Sequence, residues 1–113
     1  MIRRGEIYLV DLNPIRGQEQ AGVRPALIIQ NDIGNQYSST TIVSAITSRS
    51  EKKRLPVHVE LPGRATGLPK DSVVLLDQIR TIDKNRLLRL MGNVPEEIME
   101  QVNTALRKSL ALD

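Results

Sequence analysis

The chain has 113 residues, 40% hydrophobic and 26% charged, which are the proportions of one globular domain spanning 1–113. No apolar run approaches the roughly 18 residues that a membrane-spanning helix needs, and zero cysteines with a single histidine, His58, exclude disulfides, thiolate catalysis and cysteine or paired-histidine metal sites. The 16 basic residues against 13 acidic ones give a net charge of +3, which permits a polyanionic partner without demanding one.

The opening MIRRGEIY lacks the apolar core of a secretion signal, so a cytoplasmic location is expected. Gly5 to Leu12 (GEIYLVDL) has the β-branched and aromatic enrichment of a strand, closed by the turn signal Asn13-Pro14. Ile15 to Val23 is polar, carries Gly17 and Gly22, and reads as a loop. Pro25 to Gln30 (PALIIQ) predicts a second strand, with proline tolerated at its first position. Asn31 to Ser39 reads as a turn-rich connection. Thr41 to Thr47 (TIVSAIT) predicts a third strand, with Thr41, Val43, Ala45 and Thr47 on one face.

A basic run, Arg49 to Arg54 (RSEKKR), leads to Leu55-Pro56 and a short strand over Val57 to Glu60, which Pro62-Gly63 breaks. Ser72 to Asp83 (SVVLLDQIRTID) is too long for an ordinary strand. Polar Asp77-Gln78 divides it, predicting two strands joined by a bend or bulge there. Asp83 caps a short helical turn through Asn85, and Leu87 to Val94 returns as an extended segment. Pro95 begins a helix, with Glu96 and Glu97 at its positive end and Arg107 and Lys108 at its negative end. Its apolar stripe is Ile98, Val102, Ala105, Leu106, Ser109 and Leu110. Many short strands followed by one terminal helix predict a mainly β fold: a small, strongly curved antiparallel sheet or barrel with the helix packed on it.

Arg24 is the first candidate for chemistry. Pro25 pushes it to an extended conformation, and Gly22 lets the incoming loop turn tightly, so the guanidinium has a preset direction at a strand mouth. Such a fork suits a phosphate. It equally suits a rim ion pair with Glu19 or Asp32, and the local pattern leaves both readings open. Thr47 places a hydroxyl at a strand end, followed by Ser48 and the basic run. Glu19 is a possible general base, and Gln18, Gln20 and Gln78 are possible readers of base edges. His58 reads as a surface strand residue. No carboxylate or histidine cluster with metal-ligand spacing appears, so chemistry without a metal or other cofactor is expected. With two Tyr and no Phe or Trp, the chain has no broad platform for stacking bases.

Taken together, RGEIYLVDLNP, EQAGVRPALIIQND, the Thr47-Ser48 strand end and DSVVLLDQIRTIDKNRL from Asp71 to Leu87 closely resemble the MazF/PemK toxins of bacterial toxin-antitoxin pairs, in particular the short members from Gram-positive bacteria. The resemblance covers essentially the whole chain. It implies an SH3-like β-barrel with a C-terminal helix, assembled as a homodimer. It also implies a metal-independent endoribonuclease that cuts single-stranded mRNA at a short sequence, leaving a 2′,3′-cyclic phosphate and a 5′-hydroxyl, and that a cognate antitoxin neutralises. Carried over by position, Arg24 and Thr47 are the catalytic pair, with Glu19 as a further participant. RNA contacts fall to Gln20, Ser48, Arg49, Lys52, Lys53, Gln78 and Arg80. The alternative is a same-fold toxin of the CcdB type, which inhibits DNA gyrase and is no nuclease; its important residues lie at the end of the terminal helix, where Leu110-Ala111-Leu112-Asp113 looks unlike such a tail.

Overall fold

The structure, a computed structural model, describes residues 1–13, 17, 22–48 and 54–113. Glu19, Gln20, Arg49, Lys52 and Lys53 lie outside the described residues. In chain order the elements are β1 (Glu6–Asp11), β2 (Val23–Ile28), α1 (Asp32–Tyr37), β3 (Thr40–Thr47), β4 (His58–Leu61), α2 (Gly63–Thr66), β5 (Ser72–Asp83), a 3₁₀ turn (Lys84–Arg86), β6 (Leu87–Asn93) and α3 (Glu96–Ser109). The strands form one antiparallel sheet in the order β4-β5-β3-β2-β1-β6. Among the described residues, no helix is long and apolar enough to cross a membrane.

One apolar cluster joins Ile7 of β1 and Leu27 of β2 to Val59 and Leu61 of β4, with Met99, Val102 and Ala105 of α3. In a flat sheet β1 and β4, four places apart, would sit roughly 19 Å from each other. Their shared core therefore requires the sheet to curl around α3, as the barrel expectation demands. A second cluster lies on the other face: Val10, Leu12, Ala26, Ile28, Val43, Ala45 and Ile82.

The curl has an identifiable source in β5. Ile46 of β3 pairs with Val74, but Ser44 pairs with Ile79. The residues from Leu75 to Gln78 thus oppose the single residue Ala45. Over this bulge β5 leaves β3 and keeps to β4, with His58 opposite Leu75 and the Leu76 amide donating to the Val57 carbonyl at 2.9 Å. A bulge of this kind bends the strand and frees the partner's surface. The expected break at Asp77-Gln78 is therefore present, within one strand rather than between two.

Other expectations need correcting. β2 begins at Val23, so Arg24 lies inside the strand and not before it. The connection expected over Asn31 to Ser39 contains α1, whose N-cap Asn31 accepts from the Gly34 amide at 2.8 Å. The segment after Pro62 forms the one-turn α2, ended by Gly67 at φ 87°. The fully buried residues of α3 are Met99, Val102 and Ala105, and Ile98 and Leu106 of the expected stripe pack partly buried against the same core. Leu110 lies past the helix end and is 55% exposed. The Asp83 cap is as expected, accepting from the Asn85 amide at 2.8 Å.

A candidate active site at the ends of β2 and β3

Sequence forces Arg24 into an extended backbone, and β2 gives it a face. Arg24 is paired with Val10 of β1, and Ala26 with Ala45 of β3. Continuing the β2–β3 register past Pro25, which has no N–H to donate, sets Arg24 level with Thr47. Residues level on antiparallel strands project to the same side with Cα atoms about 5 Å apart. By strand alternation that side also carries Val10, Ala26 and Ala45, while Arg24 also lines a recess with Ile46 and Leu68 of the first cluster. Thr47 is buried at 5% exposure, and Arg24 is half-buried.

Along the chain, the described residues resume at Gly22, two before Arg24, and stop at Ser48, directly after Thr47. The roots of the loop from β1 to β2 are held firmly. The Leu12 amide donates to the Gly22 carbonyl at 3.0 Å, and the Gly22 amide to the Asn13 side chain at 3.2 Å. Gly22 has φ +78°, a conformation that suits glycine and turns the chain into β2. Arg80 donates to the Leu12 carbonyl. Arg86 donates to the carbonyls of Asp11, at 3.2 Å, and Asn13.

Asp32 is not the rim partner of Arg24. The two lie at opposite ends of β2, with about 13 Å of strand between Arg24 and Ile28 alone. The Asp32 carboxylate instead accepts from the Arg4 amide at 2.7 Å and from Asn35 at 3.2 Å. The Arg4 hydrogen bond, with Asn35 and the nearby Arg3 and Arg4 charges, holds the Asp32 carboxyl below its ordinary value. Of the two ion-pair partners weighed from sequence, the one that the described residues include is thus engaged elsewhere.

Two recesses flank the pair. One, of about 290 Å³, is lined by Arg24, Ile46, Ser48, Leu68, Lys70 and Ser72 among others. Ser48 is exposed, and here it joins Arg24 as expected. Lys70 was not anticipated. It stands far from Arg24 in sequence, and only the pairing of Thr47 with Val73 brings the start of β5 beside the end of β3. The other recess, of about 140 Å³, lies over the bulge, with Leu12, Val43 and Ala45 on one side and Asp77 to Arg80 on the other. Gln78 and Arg80 meet there as expected, although Arg80 also serves as a tie to the loop root.

His58 corrects its expected role. Its side chain is 14% exposed; its Nδ1 accepts from the Leu55 amide at 3.2 Å, and its Nε2 faces the Asp77 carboxylate at 3.1 Å. Among the described residues no group of three or more His, Asp or Glu side chains is placed to hold a metal ion.

A guanidinium and a hydroxyl at the ends of adjacent strands, with Lys70 lining a recess beside the first, are groups that can donate to the oxygens of a tetrahedral anion. Comparison with known proteins points the same way. Residues 3–110 match the family described as PemK-like, MazF-like toxin of type II toxin-antitoxin system. The chain is 52% identical to the endoribonuclease EndoA of Bacillus subtilis, over 99% of this chain and 97% of that one. Its fold is similar to an endoribonuclease in complex with its cognate antitoxin from Mycobacterial species, with TM-score 0.85, 27% identity, and 100% and 98% of the two chains covered. It is similar also to MazF from Deinococcus radiodurans, with TM-score 0.83, 26% identity, and 97% and 96% covered.

Proposed function

The chain belongs to the PemK-like, MazF-like toxin family of type II toxin-antitoxin systems, and from that premise we propose that it is an endoribonuclease toxin that cuts single-stranded mRNA at a short sequence without a metal. The observation that supports the reading is the β2–β3 register, which ends at Ala26 opposite Ala45 and, continued two residues, sets Arg24 level with Thr47, with Lys70 lining a recess that Arg24 shares.

The chemistry follows from what those groups can do. A ribose 2′-hydroxyl attacks the adjacent phosphorus in line, and the bond from phosphorus to the 5′-oxygen breaks. The 2′-proton goes to a base and a proton reaches the 5′-oxygen, leaving a 2′,3′-cyclic phosphate and a 5′-hydroxyl. Arg24 stabilises charge on the nonbridging oxygens and is the group proposed to pass a proton to the leaving 5′-oxygen; Thr47 donates its hydroxyl to a nonbridging oxygen. Glu19, in the loop whose roots Arg80 and Arg86 fix, is the first candidate for the base. The basic run with Arg49, Lys52 and Lys53 contributes phosphate contacts, and Gln20, Ser48, Gln78 and Arg80 contribute polar ones.

The toxin works as a homodimer in the cytoplasm and is neutralised by a cognate antitoxin that covers the basic recess. The name of the Bacillus relative, an endoribonuclease, supports the nuclease over the gyrase-directed alternative. The test is incubation with mixed-sequence RNA and matching DNA in chelator, with the ends mapped. RNA cut to cyclic phosphate ends, DNA left whole, and loss of cutting in folded Arg24→Ala and Thr47→Ala bear the reading out. Uncut RNA refutes the activity, and dependence on added magnesium refutes the mechanism.

A further inference from the structure

The proposed nuclease has to hold the strand beyond the phosphate that it cuts, and the sheet has a shelf that can do so. Val73 of β5 pairs with Thr47 of β3 on one side and with Glu60 of β4 on the other. With Arg24 level with Thr47, four adjacent strands, β2-β3-β5-β4, present their ends in one row. From Arg24 to Glu60 the row crosses three strand spacings, about 14 Å, which is room for a length of backbone. The recess of about 290 Å³ beside Arg24 covers its first part. A further recess, of about 250 Å³, covers the second and is lined by Arg54, Glu60, Arg64 and Asp71 among others. Ser48 and Ser72 line both, so the two recesses form one continuous track.

Local structure fixes what lies along it. The Ser72 hydroxyl donates to the Lys70 carbonyl at 2.9 Å, and the Gly63 amide donates to the Asp71 carboxylate at 2.9 Å. A Cβ at Gly63 would stand 2.7 Å from the Leu68 carbonyl oxygen, so only glycine lets α2 lie this close to the chain that leads into β5. Arg64, the next residue, is thus carried by a turn pinned to its surroundings. Arg54 is tied to Glu60 at 2.6 Å. Both carboxylates of the track therefore have partners. Lys70 and Arg64 are exposed, and among the described residues neither forms an ion pair. Their charge remains for a ligand that brings negative charge of its own. No aromatic ring or side-chain amide lines either recess, which suits a backbone and not a base.

We infer that this track binds the sugar-phosphate backbone of the substrate strand beyond the cut, with Arg64 as a phosphate contact remote from the reacting atoms. Lys70 serves the nearer recess and Arg64 the further one. A contact made so far from the reacting phosphorus holds substrate and transition state equally, so it lowers KM and leaves kcat alone. Arg24 and Thr47 set the chemistry, and Arg64 sets how long a strand must be to be gripped.

This inference rests on the endoribonuclease reading, and its test has one arm that needs no cutting. A mixed-sequence single strand of 2′-deoxyribose is bound across a salt series by the wild-type protein, Arg64→Ala, Arg64→Glu, Arg64→Lys and Arg107→Ala, each shown by thermal unfolding to be folded. Arg64→Ala should lower the magnitude of the slope of log affinity against log salt by about 0.7, the value for one contact to a single strand. Arg64→Glu should weaken binding further, and Arg64→Lys should keep the slope. Arg107→Ala, which removes an exposed charge from α3, should keep it too. In the second arm, an RNA that carries the mapped cut sequence is shortened from either end. Shortening from one end should raise the wild-type KM about tenfold with kcat held, the worth of one hydrogen bond between charged groups. The same shortening should change nothing further in Arg64→Ala. An unchanged slope in Arg64→Ala, or an equal fall in Arg107→Ala, overturns the inference whether or not RNA is cut. A fall seen with polyglutamate and not with the nucleic strand also overturns it, assigning the track to an acidic peptide. The expected slopes with no cutting of any RNA would sustain the track and overturn the nuclease reading instead.

Discussion

Continued two residues beyond Ala26 and Ala45, the β2–β3 register brings Arg24 level with Thr47. Two donors that share one phosphate act as a unit, so their losses should not add. Arg24→Ala is expected to lower the cleavage rate by about 10²- to 10³-fold, the usual loss for a donor to a developing oxyanion. Arg24→Lys should recover little, because a lysine cannot present a planar fork. Thr47→Val keeps the shape of a buried side chain and removes only the hydroxyl. The double variant should be little worse than Arg24→Ala alone, and a fully additive loss in single-turnover assays would separate the two residues' roles.

Lys70 shares its recess with Arg24 and Ser48, and on the proposed function it is expected to contact phosphate rather than a base. Its replacement by alanine should weaken binding to all single-stranded RNAs alike. The slope of log affinity against log salt should fall in magnitude by about 0.7, the value for one contact to a single strand. A change in cleavage sequence without a change in slope would show that Lys70 touches a base.

Much of this site was legible in the sequence because its signals are local. Pro25 and Gly22 act on Arg24 from within two residues, strand alternation alone put Thr47 and Ala45 on one face, and Asp77-Gln78 interrupted an apolar run visibly enough to locate the bulge. Lys70 and the His58–Asp77 contact were not legible. Each depends on which strand lies beside β5, a pairing across 19 residues for His58 and Asp77, and neither leaves a periodic trace. The short helices α1 and α2 were hidden for another reason. Their sequences, DIGNQY and GRAT, contain glycine and no apolar stripe, so capping and tertiary contacts hold them where propensity would not.

Acid should loosen the tie from the Arg4 amide to Asp32. The Asp32 carboxyl is held below its ordinary value of 3.8, chiefly by the Arg4 amide and then by Asn35. A carboxyl lowered in the folded state contributes stability that is complete above its unfolded value and is lost as pH falls through the folded one. Stability should therefore decline below about pH 4. In Asp32→Asn this part of the decline should be absent, giving a flatter acid limb in thermal unfolding. A parallel limb would mean that Asp32 keeps its ordinary affinity for the proton.

Asn35 is buried at 1% exposure with every polar atom engaged. Its Oδ1 accepts from Gln30 at 3.0 Å and Thr41 at 2.8 Å, its Nδ2 donates to the Gln30 carbonyl at 2.9 Å and to Asp32, and its backbone carbonyl accepts from Lys84. Asn35→Leu strands the Thr41 hydroxyl and the Gln30 carbonyl without water. The expected loss is about 2–4 kcal/mol in urea unfolding; a loss below about 1 kcal/mol would show that the neighbours repair the network themselves.

The tightest packing constraint lies where β6, an edge strand, crosses the α2 segment. A Cβ at Gly92 would stand 2.0 Å from the Thr66 carbonyl oxygen and 3.4 Å from the Gly67 Cα. All of these are backbone atoms, so no side chain can swing aside. Thr66 is itself pinned, its hydroxyl donating to the Pro62 carbonyl at 2.9 Å, and Gly67 needs its φ of 87° to end the turn. Gly92→Ala must therefore push β6 from β1, where Gly92 pairs with Ile7 of the main core. Overpacking of this kind costs about 1–3 kcal/mol, or roughly 4–12 °C of melting temperature for a chain of this size. The Arg24 face lies two strands away, so cleavage at a temperature well below the melting point should persist. Unchanged melting would mean that the α2 segment yields; lost cleavage in a folded Gly92→Ala protein would mean that β6 sets the position of the site.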